Sequence, residues 1–266
     1  MGRIEARFAD LKKKAETALV TFVTAGDPSL AKTEEILQAL VEAGVDIIEL
    51  GVPFSDPMAD GPTIQKSSLR ALEAGATLAG VLDLVSRVRR HSNVPIVLMG
   101  YYNPVFRFGV ETFARKAAAA GVDGLLLVDL PPEESAEVRD FLRPQGIDLI
   151  TLLAPTTPPQ RTRELASRGE GFLYYVSMTG VTGSQAVDPS AIAQRVTELK
   201  RQSPVPVGVG FGISSAAEAA QVADFADAVV VGSALVRIIE TCGDSPELVP
   251  RVLEFASSLK EAVRKH

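Results

Sequence analysis

Two carboxylates, Glu49 and Asp60, are the residues of this sequence best suited to acid–base chemistry. Glu49 lies within the apolar run Val45-Asp-Ile-Ile-Glu-Leu-Gly51, which is typical of a buried strand, and strand alternation puts it on the same side as Val45 and Ile47. A carboxylate there is costly unless it is paired or protonated, and burial would raise its pKa, which suits a general acid or base. A structural carboxylate that binds neighbouring backbone is the alternative, but a position at a strand end favours function.

The second carboxylate follows this strand in the segment Pro53-Phe-Ser-Asp-Pro-Met-Ala-Asp-Gly-Pro62. Its Pro-flanked Asp residues predict tight turns, and Asp60 is placed to reach back over the strand end. A second carboxylate near Glu49 would form an acid–base pair with separable pKa values. Spacing alone favours the alternative that Asp56 and Asp60 are turn formers or that Asp60 caps the next helix.

Three glycine-containing turns could bind an anion. They read Ser177-Met-Thr-Gly-Val-Thr-Gly-Ser184, Gly208-Val-Gly-Phe-Gly-Ile-Ser-Ser215 and Gly232-Ser-Ala-Leu235, and each follows an apolar run. Glycine lets backbone N–H groups approach a phosphate, and Ser214 and Ser233 could begin helices whose N-termini favour negative charge. Each turn alone could simply end a strand, but two of them fall in the loops that usually bind phosphate in an α/β barrel.

Eight apolar segments are predicted to be the strands that position these residues. Most are continuous Val, Ile and Leu runs, as expected for strands buried on both faces of a parallel sheet. The predicted strands are Ala18–Ala25, Val45–Val52, Val94–Tyr101, Val122–Leu130, Ile147–Ala154, Gly171–Met178, Val205–Gly210 and Asp227–Gly232. Segments with helical periodicity lie between them, such as Leu30–Ala43, Val110–Ala120, Glu133–Leu142, Pro159–Arg168, Pro189–Lys200 and Ser214–Ala223.

These eight βα units, one of which carries an insertion after the second strand, predict an α/β fold of the closed (β/α)8 type, the TIM barrel. An open doubly wound sheet is the alternative. The amphipathic segment Arg3–Ala15 is predicted to be an extra N-terminal helix that covers the barrel floor. Ala-Gly-Val-Asp occurs at 43–46 and 120–123, with a near copy at 145–148, and each copy places Gly between a helix and a strand. No linker interrupts the chain, which predicts a single domain over residues 1–266.

The composition excludes several classes of function. The 266 residues carry a formal net charge of −6, so no general attraction to nucleic acid is expected. With one cysteine, Cys242, and two histidines, no disulfide framework and no metal site are expected. No lysine lies within a predicted strand, which argues against Schiff-base chemistry. The absence of a signal-peptide pattern and of a membrane-spanning apolar run predicts a cytoplasmic location.

The string Glu49-Leu-Gly-Val-Pro-Phe-Ser-Asp-Pro-Met-Ala-Asp-Gly-Pro62 resembles the signature of the tryptophan synthase alpha chain family nearly residue for residue. The segments Gly180-Val-Thr-Gly183, Gly210-Phe-Gly-Ile-Ser214 and Met99-Gly-Tyr-Tyr-Asn-Pro104 match the family too, and the resemblance spans the whole chain. It implies retro-aldol cleavage of indole-3-glycerol phosphate to indole and glyceraldehyde 3-phosphate.

The resemblance also implies a role for each site residue. Glu49 would protonate the indole ring at C3 and later accept the glycerol hydroxyl proton, and Asp60 would pair with the indole N–H. The residues implied for binding are Phe22, Tyr101 and Tyr174 around the indole, Gly183, Gly212, Gly232 and Ser233 at the phosphate, and Thr182 in a mobile loop that closes over the site. Alternation puts Tyr174 rather than Tyr175 in the pocket, provided that the inward face is assigned correctly.

The partner that the resemblance implies is the tryptophan synthase beta chain, in an alpha2beta2 heterotetramer. Pyridoxal phosphate is expected in that beta chain and no cofactor in this one. The contact is expected at the loop of Asp56 and around Asn103-Pro104.

Three alternatives to a synthase subunit stay open at this point. The chain could be a stand-alone indole-3-glycerol-phosphate lyase that releases free indole, and the active site would then be the same. It could be a regulatory subunit that uses its phosphate site to activate a partner, although intact Glu49 and Asp60 argue against this. It could also be another phosphate-binding barrel, such as a sugar-phosphate isomerase, although the lack of barrel His and Lys speaks against most of these.

Overall fold

Parallel strands follow one another around a barrel, and helices cover its outer side. The structure, a computed structural model, describes residues 1–176, 189–210 and 212–264, with the backbone alone for residues 189–191. The predicted site residues Thr182 and Gly183 therefore lie outside the described residues.

The strands that the structure describes are Ala18–Thr24 (β1), Ile47–Gly51 (β2), Ile96–Gly100 (β3), Gly124–Leu127 (β4), Asp148–Leu149 (β5), Thr151–Leu153 (β6), Leu173–Val176 (β7), Val207–Gly210 (β8) and Ala228–Val231 (β9). The helices are Arg3–Lys14 (α1), Leu30–Glu42 (α2), Pro62–Glu73 (α3), Leu78–Val88 (α4), Tyr102–Phe108 (α5), Val110–Ala120 (α6), Ala136–Leu142 (α7), Pro159–Ser167 (α8), Pro189–Gln202 (α9), Ala216–Ala223 (α10), Ser233–Cys242 (α11) and Leu248–Arg264 (α12), with a 3₁₀ turn at Arg143–Gln145. In this part of the chain no helix is long and apolar enough to cross a membrane.

The sheet confirms the predicted (β/α)8 barrel. Its order is β5-β4-β3-β2-β1-β9-β8-β7-β6, and every pair is parallel. The two end strands flank Ile150 and are halves of the predicted fifth strand, so the sheet closes through that residue. An open doubly wound sheet is excluded, because its two edges would not meet in one strand.

The structure corrects the sequence prediction in one place and adds detail in another. The fifth strand is not continuous: β5 pairs with β4 and β6 pairs with β7, with the break at Ile150. The predicted insertion after the second strand contains two helices, α3 and α4, of which α3 begins two residues after Asp60.

Two apolar clusters divide the core. The inner cluster fills the barrel and includes Val20, Ile47 and Tyr174 from the strands together with Ile4 and Phe8 from α1. The outer cluster lies between the strands and the surrounding helices. Helix α1 thus covers the barrel floor, as its amphipathic pattern predicts.

Carboxylates at the strand starts organise the barrel floor. Each accepts a hydrogen bond from a backbone N–H at the first or second residue of a neighbouring strand, and each also pairs with a cation. The bonds are Leu19 N to Asp46 Oδ2 (2.7 Å), Ile96 N to Asp123 Oδ2 (2.8 Å) and Val207 N to Asp227 Oδ2 (2.9 Å), and the cations are Lys260, Arg89 and Lys200 respectively. Asp46 and Asp123 come from the two Ala-Gly-Val-Asp copies, whereas Asp227 lies outside the repeat. All three supply acceptors for N–H groups at strand starts that would otherwise lack a partner.

The third copy of the repeat behaves differently. Among the described residues no cation pairs with Asp148, and Leu149 N donates instead to the Glu170 carboxylate at 3.1 Å. Burial, followed by repulsion from Glu170 and Asp123, raises the pKa of Asp148 to about 6. The ionised form of this side chain is therefore unfavourable in the fold.

Replacing Asp148 with Asn is expected to stabilise the protein above pH 6. The folded pKa lies above the ordinary value of 3.8, so the folded state keeps its proton longer and stability is lost as pH rises from about 4 to 6. After allowance for solvent screening of a half-buried group, the gain should be about 1 kcal/mol in the free energy of unfolding. Urea unfolding at pH 4 and pH 8 measures it.

The matched control is Asp227→Asn, which changes the same charge at another strand start. Because Asp227 binds both Val207 N and Lys200, this variant should lose about 1–3 kcal/mol. An equal effect of Asp148→Asn at both pH values would contradict the prediction.

Candidate active site

A cavity of about 660 Å³ opens at the carboxyl ends of the strands. Its volume lies in the range of small-molecule sites, and this end of a barrel is where such enzymes place their chemistry. The predicted site residues that line it are Phe22, Glu49, Asp60, Tyr174, Gly212, Gly232 and Ser233. In the part of the chain that the structure describes, no group of three or more His, Cys, Asp or Glu side chains could hold a metal ion.

Glu49 is fully buried between Phe22 on β1 and Val97 on β3, its partners in strand register. Neither of its carboxylate oxygens has a hydrogen-bond partner among the described residues. The bonds to neighbouring backbone that a structural role would require are therefore not made in this part of the chain. Burial raises the pKa of Glu49 to about 8, which leaves the side chain mostly protonated at neutral pH. The cavity thus contains an uncharged carboxylic acid that can donate a proton.

Asp60 also lines the cavity, in the loop that leads into α3. Tight turns hold this loop, with bonds from Met58 N to Asp56 O at 2.8 Å and from Asp60 N to Pro57 O at 3.1 Å. The prediction that Asp60 caps the helix is wrong, because the N-cap of α3 is Gly61 and no side chain caps it.

The Asp60 carboxylate instead accepts a hydrogen bond from the Tyr101 hydroxyl at 3.1 Å. Burial raises the pKa of Asp60, and this bond lowers it in part. The ring of Tyr101 packs against Phe54, with 5.2 Å between ring centroids, and it lies beside the cavity. Tyr101 contacts the site through its hydroxyl, by the bond to Asp60. Contact between its ring and an indole stays a prediction.

Two aromatic rings form walls of the cavity, Phe22 on β1 and Tyr174 on β7. Tyr174 belongs to the inner apolar cluster and Tyr175 to the outer one, which confirms the inward direction given by alternation. Glycines leave room for both rings. A Cβ on Gly51 would lie 2.6 Å from the tip of the Phe22 ring, and one on Gly210 would lie 2.6 Å from the Tyr174 hydroxyl.

Neither glycine was singled out from the sequence for this purpose. Strand register brings them to the rings, and register is not visible in the motifs. Gly51 pairs with Thr24 at the end of β2, and Gly210 pairs with Val176 at the end of β8.

The turns after β8 and β9 line the cavity between these two rings, because β9 and β8 lie between β1 and β7 in the sheet. Gly232 is the N-cap of α11 and Ser233 its first residue, so the N-terminus of that helix lies at the cavity wall. Gly212 has φ of +39°, a left-handed conformation that favours glycine. Backbone N–H groups at a helix N-terminus bind anions, so this part of the cavity suits a phosphate.

The second helix start differs from the prediction by one residue. Ser215 rather than Ser214 is the N-cap of α10, and its hydroxyl accepts a bond from Glu218 N. Ser214 donates both its N–H and its hydroxyl to the Glu218 carboxylate, at 2.7 and 2.9 Å. The serine hydroxyl thus binds a backbone N–H of the helix, and the Glu218 side chain binds a backbone N–H before it, an arrangement similar to a capping box.

The closed parallel barrel has a cavity lined by a buried acid, a second carboxylate and a helix N-terminus. These features define an enzyme-like (β/α)8 barrel with acid–base groups and an anion site. The chain belongs to the tryptophan synthase alpha chain family, whose model matches residues 8–264.

Individual relatives agree with this assignment. The chain is 56% identical to the tryptophan synthase alpha chain of Geobacter sp. (strain M21) over 265 residues, which cover 100% of this chain and 99% of the relative. It is similar to the crystal structure of tryptophan synthase subunit alpha from Legionella pneumophila, with a TM-score of 0.92, 38% identity and 100% of both chains covered. A Mycobacterium tuberculosis tryptophan synthase structure gives a TM-score of 0.89 at 38% identity, over 99% of this chain and 98% of that chain.

Proposed function

We propose that the chain cleaves indole-3-glycerol phosphate to indole and glyceraldehyde 3-phosphate as the alpha subunit of a tryptophan synthase. The observation that carries the proposal is the buried Glu49 carboxyl, which faces the cavity without a partner among the described residues. An uncompensated acid is costly, and a reaction that consumes its proton accounts for that cost.

The first step of the proposed reaction is transfer of the Glu49 proton to C3 of the indole ring. The ring nitrogen then carries positive charge, and the Asp60 carboxylate stabilises its N–H. The charged ring that Asp60 stabilises is thus formed only after protonation. The stabilisation therefore favours the transition state over the bound substrate.

The second step breaks the carbon–carbon bond. Glu49, now a carboxylate, accepts the proton of the hydroxyl on the glycerol carbon attached to C3. The C–O bond of that carbon becomes a carbonyl, the bond to C3 breaks, and its electron pair returns to the ring. The products are neutral indole, glyceraldehyde 3-phosphate and a reprotonated Glu49, so neither a metal nor an amine nucleophile is required.

Substrate orientation follows from the different groups that line the cavity. The apolar rings of Phe22 and Tyr174 suit the indole, and the N-terminus of α11 at Gly232 and Ser233 suits the phosphate. Thr182 and Gly183, outside the described residues, are proposed to complete the site on the resemblance alone.

A tryptophan synthase beta chain is the proposed partner, in an alpha2beta2 assembly whose beta chains hold the pyridoxal phosphate. Exposed apolar side chains occur at both expected contacts. Met58 in the Asp56 loop is 84% exposed, and Phe106 on α5, the helix that contains Asn103, is 60% exposed. Family membership does not favour the stand-alone lyase.

Indole release from indole-3-glycerol phosphate tests the proposal. Indole fluorescence suits the assay because the chain contains no tryptophan. The purified chain alone should release indole slowly, and added beta chain should accelerate it strongly. Fast release that does not change on adding beta chain would support the stand-alone lyase instead. No release under either condition would overturn both the synthase-subunit and the lyase hypotheses.

A further inference from the structure

We propose that Tyr101 is a positioning residue for Asp60, and that its hydroxyl and the Gln65 amide together hold the Asp60 carboxylate over the cavity. The inference rests on the proposed function, since it concerns the carboxylate assigned there to the indole N–H. It gives Tyr101 a role distinct from that of a wall for the indole ring.

The Tyr101 hydroxyl contacts two consecutive residues of the loop. It accepts a hydrogen bond from Ala59 N at 3.0 Å and donates to Asp60 Oδ2 at 3.1 Å. One atom thus fixes both the backbone of the loop and the side chain that it carries. The tyrosine itself is well held, because it is only 4% exposed and directly follows β3.

Gln65 holds the other side of the loop. Its Nε2 donates to the Asp60 carbonyl at 2.9 Å and to the Pro57 carbonyl at 3.4 Å. Gln65 belongs to α3, which is anchored to the barrel: Arg70 donates two bonds to the buried Asp27 carboxylate, at 2.9 and 2.7 Å. The loop is therefore held between two fixed elements, β3 and α3.

The two contacts have different consequences. The Gln65 bonds are exposed and constrain position only, whereas the Tyr101 bond is partly buried and made to the carboxylate itself. Among the described residues, the titratable groups that line the cavity with Asp60 are Glu49 and Tyr174, and Tyr101 lies beside it. Since burial raises the pKa of Asp60 and the Tyr101 bond opposes this, loss of the hydroxyl would reduce both the placement and the ionisation of Asp60.

Tyr101→Phe tests the inference in the full chain by indole release across pH. Hydrogen bonds to charged groups are strong, so kcat/KM should fall roughly 10- to 100-fold. The acidic limb of the pH profile should move to higher pH, because Asp60 must be ionised to act. Tyr175→Phe is the matched control, since it removes the hydroxyl of an outward-facing tyrosine, and it should stay within about twofold of wild type.

A double-mutant cycle separates positioning from a merely structural effect. In an Asp60→Asn background Tyr101→Phe should cost less than about twofold, because a residue that acts through Asp60 has nothing left to position. Gln65→Met, which keeps the side-chain volume, should reduce kcat/KM about 2- to 10-fold in the wild-type background. In the Asp60→Asn background the same substitution should leave kcat/KM unchanged. Lys66→Met, one residue along α3, should change little.

Two outcomes would overturn the inference. One is an equal loss of kcat/KM on Tyr101→Phe in the wild-type and Asp60→Asn backgrounds, and the other is an acidic limb of the Tyr101→Phe pH profile at the wild-type position. If Tyr101→Phe does not fold, by near-ultraviolet circular dichroism, the cycle with Gln65→Met decides. The proposed function fails separately, and is recognised by absent indole release in wild type or by full activity of Asp60→Asn alone.

Discussion

Glu49→Gln is expected to reduce indole release by about 10²- to 10⁴-fold, the loss typical of removing a general acid–base group. The amide keeps the size of the side chain but has no acidic proton for C3 of the indole. With a pKa of about 8, wild-type Glu49 should support a kcat/KM that falls as pH rises through that value, since the acid must be protonated in the free enzyme. The variant's residual rate should lack this fall. Steady-state indole fluorescence from pH 6 to 10 measures both.

The same substitution is expected to stabilise the fold, because Glu49 is costly where it lies. Its folded pKa lies above the ordinary value of 4.5, so both states are protonated below about pH 4 and the carboxyl then has no effect. As pH rises from 4.5 to 8 the unfolded state ionises first and stability is lost. At pH 8 Glu49→Gln should therefore raise the free energy of unfolding by up to about 4 kcal/mol.

The control for both effects is Thr21→Val on the neighbouring strand β1. Thr21 Oγ1 is also buried without a partner among the described residues, but its neighbours Val20 and Phe22 take the inward positions. Removing this hydroxyl should leave indole release within about twofold of wild type and stability equal or higher. Unchanged indole release and unchanged partner activation in Glu49→Gln would contradict catalysis by Glu49 and support a regulatory subunit.

The elements of the barrel were predictable because their energetics are local. A strand buried on both faces needs an almost continuous apolar sequence, so Ala18–Thr24 and Ile47–Gly51 are visible as runs, and Glu49 is conspicuous as the exception. Alternation within one strand likewise gave the inward direction of Tyr174. In each case the deciding information lies within a few residues of sequence.

The remaining features depend on contacts between distant segments. The bond between Tyr101 and Asp60 joins residues 41 positions apart and depends on the path of the intervening loop. The break at Ile150 was not visible either, because this residue lies within the mostly apolar run 147–154. The closeness of Gly51 to Phe22 follows from strand register. Sequence motifs identified the candidate site residues, but the partners that hold them in position could be found only from the fold.

Asp60→Asn is expected to reduce indole release by about 10²- to 10³-fold, the effect of removing one preorganised group that stabilises developing charge. The carboxylate acts only after C3 is protonated, so kcat should fall while KM stays within a few-fold of wild type, since the phosphate side at Gly232 and Ser233 is untouched. The acidic limb of the kcat/KM profile should disappear, because that limb reports ionisation of Asp60. Steady-state kinetics from pH 5 to 8 measure all three quantities.

Asp83→Asn is the charge-matched control for this prediction. Asp83 is an exposed residue of α4, away from the described cavity lining, so its loss changes net charge by the same amount. The control should stay within about twofold of wild type. A raised KM with normal kcat in Asp60→Asn would show that the carboxylate only binds substrate. In that case Glu49 alone would have to account for the chemistry, because a group that contributes equally before and after protonation of C3 cannot lower the barrier between the two.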